Sequence, residues 1–492
     1  MNVNPITRLD YPDPDVIRVE DTYYMVSTTM HFMPGCEILQ SFDLVHWEHV
    51  TYVYETLDHT DAQQLKSGQN IYGQGMWAAS LRYHEGRFFI CFVANDTRKT
   101  YLYTSEKIDG PWKKQLIEGF YHDGSLLFDE DGKNYIVYGN DEIWITELNE
   151  DLTAPKKDGL HRLLVSDHKN PELGYEGAHI QKINGYYYIF LIHSLRDRWM
   201  RTEACFYSDS LEGEFTGGDV LCDDRGYCGQ GVAQGGIVDT PDGKWYAMLF
   251  QDSGAVGRIP ILLPVTWKDH FPVFGQNGHV PEEIEVHSTR PGYIYQPLVG
   301  SDDFCNGLLP RWQFNHDPDP RYYHLDALQG TYTITTREVC TELTQAVNTL
   351  TQRMSYPSCA AEVTVDASAL KEGDVAGLCA LQSCYAAVGI TKHHGKYEVL
   401  MLDKKEDGIL DMTEGTVVES HQMDFRLEAD FCNMKDEARC YYRVNKGDWL
   451  PIGTVHKLYF KLDHFTGCRF GLFCYAAEET GGSACFRDFK YY

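Results

Sequence analysis

One unit recurs five times in the first 250 residues of this chain: a short apolar strand, a turn of Asp, Asn, Glu or Gly, then an aromatic-rich strand. The copies are PDPDVIRVEDTYYMVST (12–28), WAASLRYHEGRFFICFV (77–93), DGSLLFDEDGKNYIVYG (123–139), EGAHIQKINGYYYIFLI (176–192) and QGGIVDTPDGKWYAMLF (234–250). The turns HEG, DEDG, ING and PDG suit tight hairpins. The aromatics Tyr24, Phe89, Tyr135, Tyr187 and Tyr246 follow one another at 65, 46, 52 and 59 residues. Further strand patterns lie between the copies, such as TYLYTSE (100–106) and EIWITEL (142–148), while long amphipathic helical patterns are missing. Four strands per unit and five units predict a five-bladed β-propeller, whose circular repetition protects sheet edges and leaves a funnel on the axis. A β-sandwich of similar strand content is the competing arrangement.

Asp13, Trp77, Asp123, Glu176 and Gln234 each stand about 11 residues before the aromatic of their copy. Equivalent positions in radial repeats point to equivalent places, so these five side chains are expected to converge near the axis at one end. A lone Asp or Glu in a strand-rich chain is ordinarily a turn residue; three carboxyls in register across separate repeats point to a shared pocket. Two carboxyls facing each other are the minimal equipment for splitting a glycosidic bond, one protonating the leaving oxygen and one activating water or attacking carbon. A third can tune the acid through its charge and hydrogen bonds. Trp77 offers a flat apolar wall for a sugar face, and Gln234 a donor and an acceptor for hydroxyls.

At these residues the chain resembles glycoside hydrolase family 43, which carries an early PDP motif, a DxSLF-type motif with an acidic turn, and an EG-x-H motif followed by NGYYY. All three are present, in order and at blade spacing, and the resemblance covers the N-terminal ~300 residues. It implies an inverting, exo-acting hydrolase on a five-bladed propeller. The resemblance makes Asp13 the general base, Asp123 the modulator of the acid and Glu176 the general acid. Asp15 is then the companion of Asp13 that caps or orients the first strand. The segment AVGRIPILLPVTW (255–267) resembles the one in which the family places an arginine beside the carboxylates, which implies Arg258 as a pocket residue. TMHFMPGCEILQSFDLVHW (29–47) resembles the loop and strand of the sugar-binding rim, which makes Phe32 a contact candidate.

The chain departs from the family at three places. Gln234 stands where many relatives have a His that ligates an axial ion, which argues against an axial calcium; no cofactor is expected to be required. WAAS around Trp77 replaces a WAPS-like run, and Met30 to Met33 replaces aromatic positions of β-xylosidases, so substrate choice is expected to differ. The DEDG turn (Asp129 to Gly132) has Asn140 rather than Glu at the twelfth position, so it reads as a hairpin and not a calcium loop.

At 492 residues the chain exceeds what one core serves, and a polar stretch from Glu282 to Asp303 with two prolines reads as a linker with a packed aromatic tail. Residues 1–290 are therefore assigned to the propeller and 302–492 to a second domain. There TYTITT, AAEVTVD, YAAVGITK, YEVLML, KLYFKLD and FGLFCYA alternate as strands of an antiparallel β-sandwich. Its opening DDFCNGLLPRWQF and the GDVAGLCAL run resemble the lectin-like accessory sandwich of some family 43 enzymes. A scaffold whose loop narrows the active-site mouth is favoured over an independent sugar binder.

A formal charge of −29 repels the phosphates of nucleic acid and anionic lipid. No apolar run approaches the ~20 residues of a membrane span and the N-terminus lacks a basic-then-apolar pattern, so a cytoplasmic location is expected. The 15 cysteines, ten after residue 300, lack a framework spacing and read as reduced apolar residues. His393 and His394 in TKHHGKY, with no CxxC pair, are not expected to form a structural zinc site. The resulting expectation is an exo-hydrolase that trims terminal pentose from arabinoxylan-derived or xylo-oligosaccharides. α-L-Arabinofuranosidase is preferred, β-xylosidase comes second or in addition, and oligomeric state is left open. A non-catalytic sugar-binding propeller is the alternative of another class; a retaining invertase-type enzyme is disfavoured because WMNDPNG-like and RDP motifs are missing.

Overall fold

A computed structural model describes residues 2–413 and 415–492. The five sequence copies form the two innermost strands of five antiparallel sheets. The first sheet is Asp15–Val19, Thr22–Val26, Gly35–Ser41 and Glu48–Tyr54, and the next three begin at Met76–His84, Ser125–Phe128 and Glu176–Ile183. Blade 5 comprises Val232–Ala233 and Ile237–Asp239 against Trp245–Asp252, then Arg258–Lys268 and Phe271–Phe274. Each copy folds as a hairpin because its turn residues reverse the chain between two runs with apolar residues on alternate faces. The blades are joined by apolar clusters between neighbours, for example Val26, Ile38 and Val53 of blade 1 with Leu81, Ile90 and Phe92 of blade 2. Each such side chain contributes ~1.5–3 kcal/mol by leaving water.

The ring is closed by the N-terminal segment rather than by a shared blade. Asn2 and Val3 pair with Ile284 and Glu283, and Asn4 Nδ2 donates to Leu262 O at 2.7 Å. Tyr11 N then donates to Arg258 O at 3.1 Å. Leu9 and Tyr11 lie in the cluster that packs Val16 and Met25 against Val238 and Met248. Below the pocket the axis is plugged. Arg82 makes five hydrogen bonds, to Asp15 Oδ2, Ser125 Oγ and the carbonyls of Leu81, Leu126 and Ile180, and so ties four blades together. His179 Nδ1 meets Asp15 Oδ1 at 3.2 Å. Burial works to raise the Asp15 carboxyl, but the Arg82 guanidinium and the His179 hydrogen bond outweigh it and hold it below its ordinary value.

The C-terminal region is a β-sandwich of a seven-stranded and a nine-stranded sheet. The nine-stranded sheet does not end inside the domain: Gln313–Asn315 pairs with Phe32–Met33, a two-residue strand of the propeller. Across the same boundary Arg353 Nη1 donates to Glu37 Oε2 at 2.8 Å, Arg353 Nε to Asp10 O at 2.9 Å, and Gly467 N to Asp10 Oδ2 at 2.7 Å. Between the two regions, Tyr293 and Tyr295 pack on Phe42. KLYFKLD does not form a strand. The strand ends at Lys457, and the following residues loop outward, because only Leu458 finds the sandwich core while Phe460 and Leu462 face the propeller. The DEDG segment is a turn, its Asp129 carboxylate taking hydrogen bonds from Lys182 Nζ and Tyr187 Oη of blade 4. Nine of the cysteines are buried and all are free. Among the described residues no helix is long and apolar enough to cross a membrane.

Candidate active site

The entrance to the innermost strand carries the same backbone feature in every blade. Asp13, Ala78, Asp123, Gly177 and Gln234 all have left-handed φ, at 52°, 22°, 47°, 63° and 62°. Four of the five are not glycine, and such residues persist only where the surroundings hold them. The kink turns one side chain per blade toward the axis, which is why Asp13, Trp77, Asp123, Glu176 and Gln234 all line one pocket of about 620 Å³. Gly177 needs its hydrogen: a Cβ there would lie 2.7 Å from the Gln234 side chain.

Asp13 is 7% exposed and held at both oxygens, Oδ1 by Arg258 Nη1 at 3.0 Å and Oδ2 by Thr28 Oγ1 at 2.6 Å. Arg258 is itself fixed, its backbone N donating to Asp10 Oδ1 at 2.8 Å and its guanidinium lying 4.2 Å from the Phe465 ring centre. Asp123 Oδ2 accepts Gly177 N at 3.1 Å. Burial pushes the Asp123 carboxyl up to about 6, with His122 opposing and Glu176 and Asp13 adding. Glu176 Oε2 accepts Asn140 Nδ2 at 2.7 Å. Gln234 N donates to Glu203 Oε2 at 2.7 Å, and burial holds that carboxyl well above its ordinary value.

Phe32 is not at this pocket. It is 2% exposed, packed in the inter-domain cluster with Leu343, Val375 and Phe473 and covered by the Arg469 guanidinium at 3.4 Å. Met30 and Met33 are buried too, and neither lines the pocket. The side chains that close the mouth come instead from the sandwich, namely Met434, Phe460, Leu462 and Phe465, together with Trp199 of blade 4. Arg201, whose Nε donates to Asp252 Oδ2 at 2.5 Å, adds a second cation to the wall.

Sequence reasoning also missed His122, although it immediately precedes Asp123, and Asn140. His122, Asp123 and Glu176 offer three ligand atoms within 4.8 Å of one another. The Asp123 charge, against the effect of burial, raises His122 to about 9, which favours an imidazolium ring beside the two carboxyls. The three stand as an ion-paired cluster, and Gln234 contributes an amide to the same pocket. Glu372, His393 and His394 form a second group in the sandwich, where the Glu372 carboxylate accepts the His394 and Gly395 backbone N–H groups and closes a hairpin.

Comparison with known proteins agrees with this geometry. Residues 3–272 match the model for glycosyl hydrolases family 43, and residues 301–492 match that for the beta-xylosidase C-terminal concanavalin A-like domain. A solved structure of a bifunctional GH43-CE protein from Bacteroides eggerthii is 42% identical over 100% of this chain, with a TM-score of 0.93. The chain spans 63% of that protein's length. A second solved structure is 28% identical, with a TM-score of 0.86 and coverage of 100% of this chain and 99% of its own. It is an engineered GH43 glycoside hydrolase described as displaying both endo-xylanase and exo-arabinofuranosidase activity. A beta-xylosidase of Formosa agariphila is 27% identical over 98% of this chain and 88% of its own length.

Proposed function

The chain belongs to glycosyl hydrolases family 43, and from that premise we propose that it is an inverting, exo-acting hydrolase. Its substrates in this reading are arabinoxylan-derived oligosaccharides, from which it releases terminal α-L-arabinofuranose, with β-D-xylose second. The observation that carries this reading is the convergence of Asp13, Asp123 and Glu176, from three blades, on one pocket. The Asp15–Arg82–His179 plug blocks the axis below and the sandwich loop narrows the mouth, which favours taking single terminal units over binding mid-chain.

Asp13 accepts a proton from a water whose oxygen bonds to the anomeric carbon. The bond to the leaving oxygen breaks, its electron pair stays on that oxygen, and Glu176 supplies the proton. Arg258 and Thr28 fix the Asp13 carboxylate, and Asp123 tunes the acid. These steps use protein groups and water alone. The exo-arabinofuranosidase activity described for the engineered relative supports the first choice of sugar, and the name of the Formosa agariphila protein supports the second.

A panel of nitrophenyl pentosides separates the two sugars, and early-time proton NMR reads the mechanism. An α-L-arabinofuranoside is expected to give the β anomer first, and a β-D-xyloside the α anomer. First-formed sugar with the substrate's own configuration requires a covalent intermediate and removes the water-activating role of Asp13. Binding without turnover makes the chain a sugar-binding propeller.

A further inference from the structure

His122 takes no part in the steps above, yet its ring stands between the carboxyls of blades 3 and 4. Its Nε2 lies 3.4 Å from Glu176 Oε2 and 3.6 Å from Asp123 Oδ2. The placement comes from the blade 3 hairpin, where Gly139 N donates to His122 O at 3.1 Å and so sets Asn140 beside it. Asn140 Nδ2 donates to the same Glu176 oxygen, Oε2, at 2.7 Å. Two donors therefore crowd one oxygen of Glu176, while among the described residues Oε1 accepts no hydrogen bond.

We propose that His122 and Asn140 are positioning residues that occupy Oε2 of Glu176 and so keep the proton it donates on Oε1, and that His122 does this as a cation whose charge sets the upper pH limit of the enzyme. The proposal rests on Glu176 being the acid. A hydrogen bond from a charged donor is about twice as strong as a neutral one, so an imidazolium holds Oε2 better than an imidazole. Its charge is drawn first from Asp123, against burial, and then from Glu176 and Asp13. The other cations of the pocket, Arg258 and Arg201, are paired with Asp13 and Asp252, which leaves His122 as the cation in contact with Glu176. A cation there eases release of the proton to the leaving oxygen by stabilising the carboxylate left behind.

Two variants divide geometry from charge. His122→Gln keeps a donor without the charge, and His122→Phe keeps neither. In His122→Gln the basic limb of the kcat/KM profile is expected to move up by about one pH unit. His122→Phe is expected to add a loss of roughly 10- to 100-fold on unactivated oligosaccharides, but only a few-fold on nitrophenyl pentosides, whose leaving group barely needs a proton. A merely structural histidine would lower melting temperature and rate at every pH and on both substrates, leaving the limb in place. Histidine side-chain NMR gives a readout that needs no turnover: the wild type should show an imidazolium persisting to about pH 9 that is missing in His122→Gln. A limb that stays in place in both variants, or no lost resonance titrating above about pH 8, overturns the proposal. Glu176→Ala run alongside separates the two levels. Equal loss on both substrate types removes the acid assignment and the proposal with it, whereas a surviving acid with an unmoved limb removes His122 alone.

Discussion

Asp13 and Asp15 are two residues apart on one strand entrance and have opposite surroundings. Asp13 faces the pocket with an arginine at one oxygen, while Asp15 faces the axis below and is held by Arg82, His179 and Leu81 N. Asp13→Ala is expected to abolish turnover on natural and nitrophenyl substrates alike, and, because it leaves the buried Arg258 without its carboxylate, to lower the melting temperature as well. Asp15→Ala leaves the Arg82 side chain, only 13% exposed, without its carboxylate and is expected to cost about 3–5 kcal/mol in denaturant unfolding. Glu176→Ala should retain more relative activity on nitrophenyl pentosides than on oligosaccharides; equal losses would contradict a proton donor there. The register of the repeats made Asp13, Asp123 and Glu176 readable, because a position repeated across blades stands out against turn residues. His122 and Asn140 were not readable that way. They lie one residue outside the two ends of the third copy, 123–139, and meet only because a hairpin folds them together.

Hairpins were legible as elements because their pattern is local: alternation, a turn, alternation again. The stretch after Lys457 broke this logic. Its alternating Leu458, Phe460 and Leu462 satisfy a strand pattern, but apolar side chains alternate equally well when one faces a core and the next two face a pocket. Phe32 failed for the converse reason, since its partners lie in the distant sandwich and no spacing within the propeller reports them. The loop should behave as part of the binding surface. Leu462 is 76% exposed, so Leu462→Ala is expected to leave stability within about 0.5 kcal/mol. Steady-state kinetics should show KM for oligosaccharides rising several-fold with kcat nearly held; an unchanged KM would place the loop outside the site.

At the scale of the molecule, the two regions share a sheet, an ion pair and Asp10. Burial acts to raise Glu37, but the Arg353 guanidinium and His49 win and hold it down to about 2. The stability it contributes is present above its ordinary value near 4.5 and is lost as pH falls toward 2. Urea melts across that range should show a decline in the wild type that Glu37→Gln lacks, the variant being weaker by about 3–5 kcal/mol at pH 7. A fragment of residues 1–300 loses Arg353 opposite Glu37 and the sheet edge opposite Phe32–Met33, and is expected to be insoluble or inactive; a soluble, fully active fragment would make the regions independent. The double engagement of Asp10 also orders events in time. Asp10 and Gly467 are separated by 457 residues, so a ribosome adding ~5–20 residues per second needs roughly half a minute to a minute and a half to deliver the second after the first. Throughout that interval the segment that will seat Arg258 stays unfinished. A nascent chain of this protein therefore carries Asp13, Asp123 and Glu176 long before their pocket is complete, and activity should arrive as a single late step, not grow blade by blade.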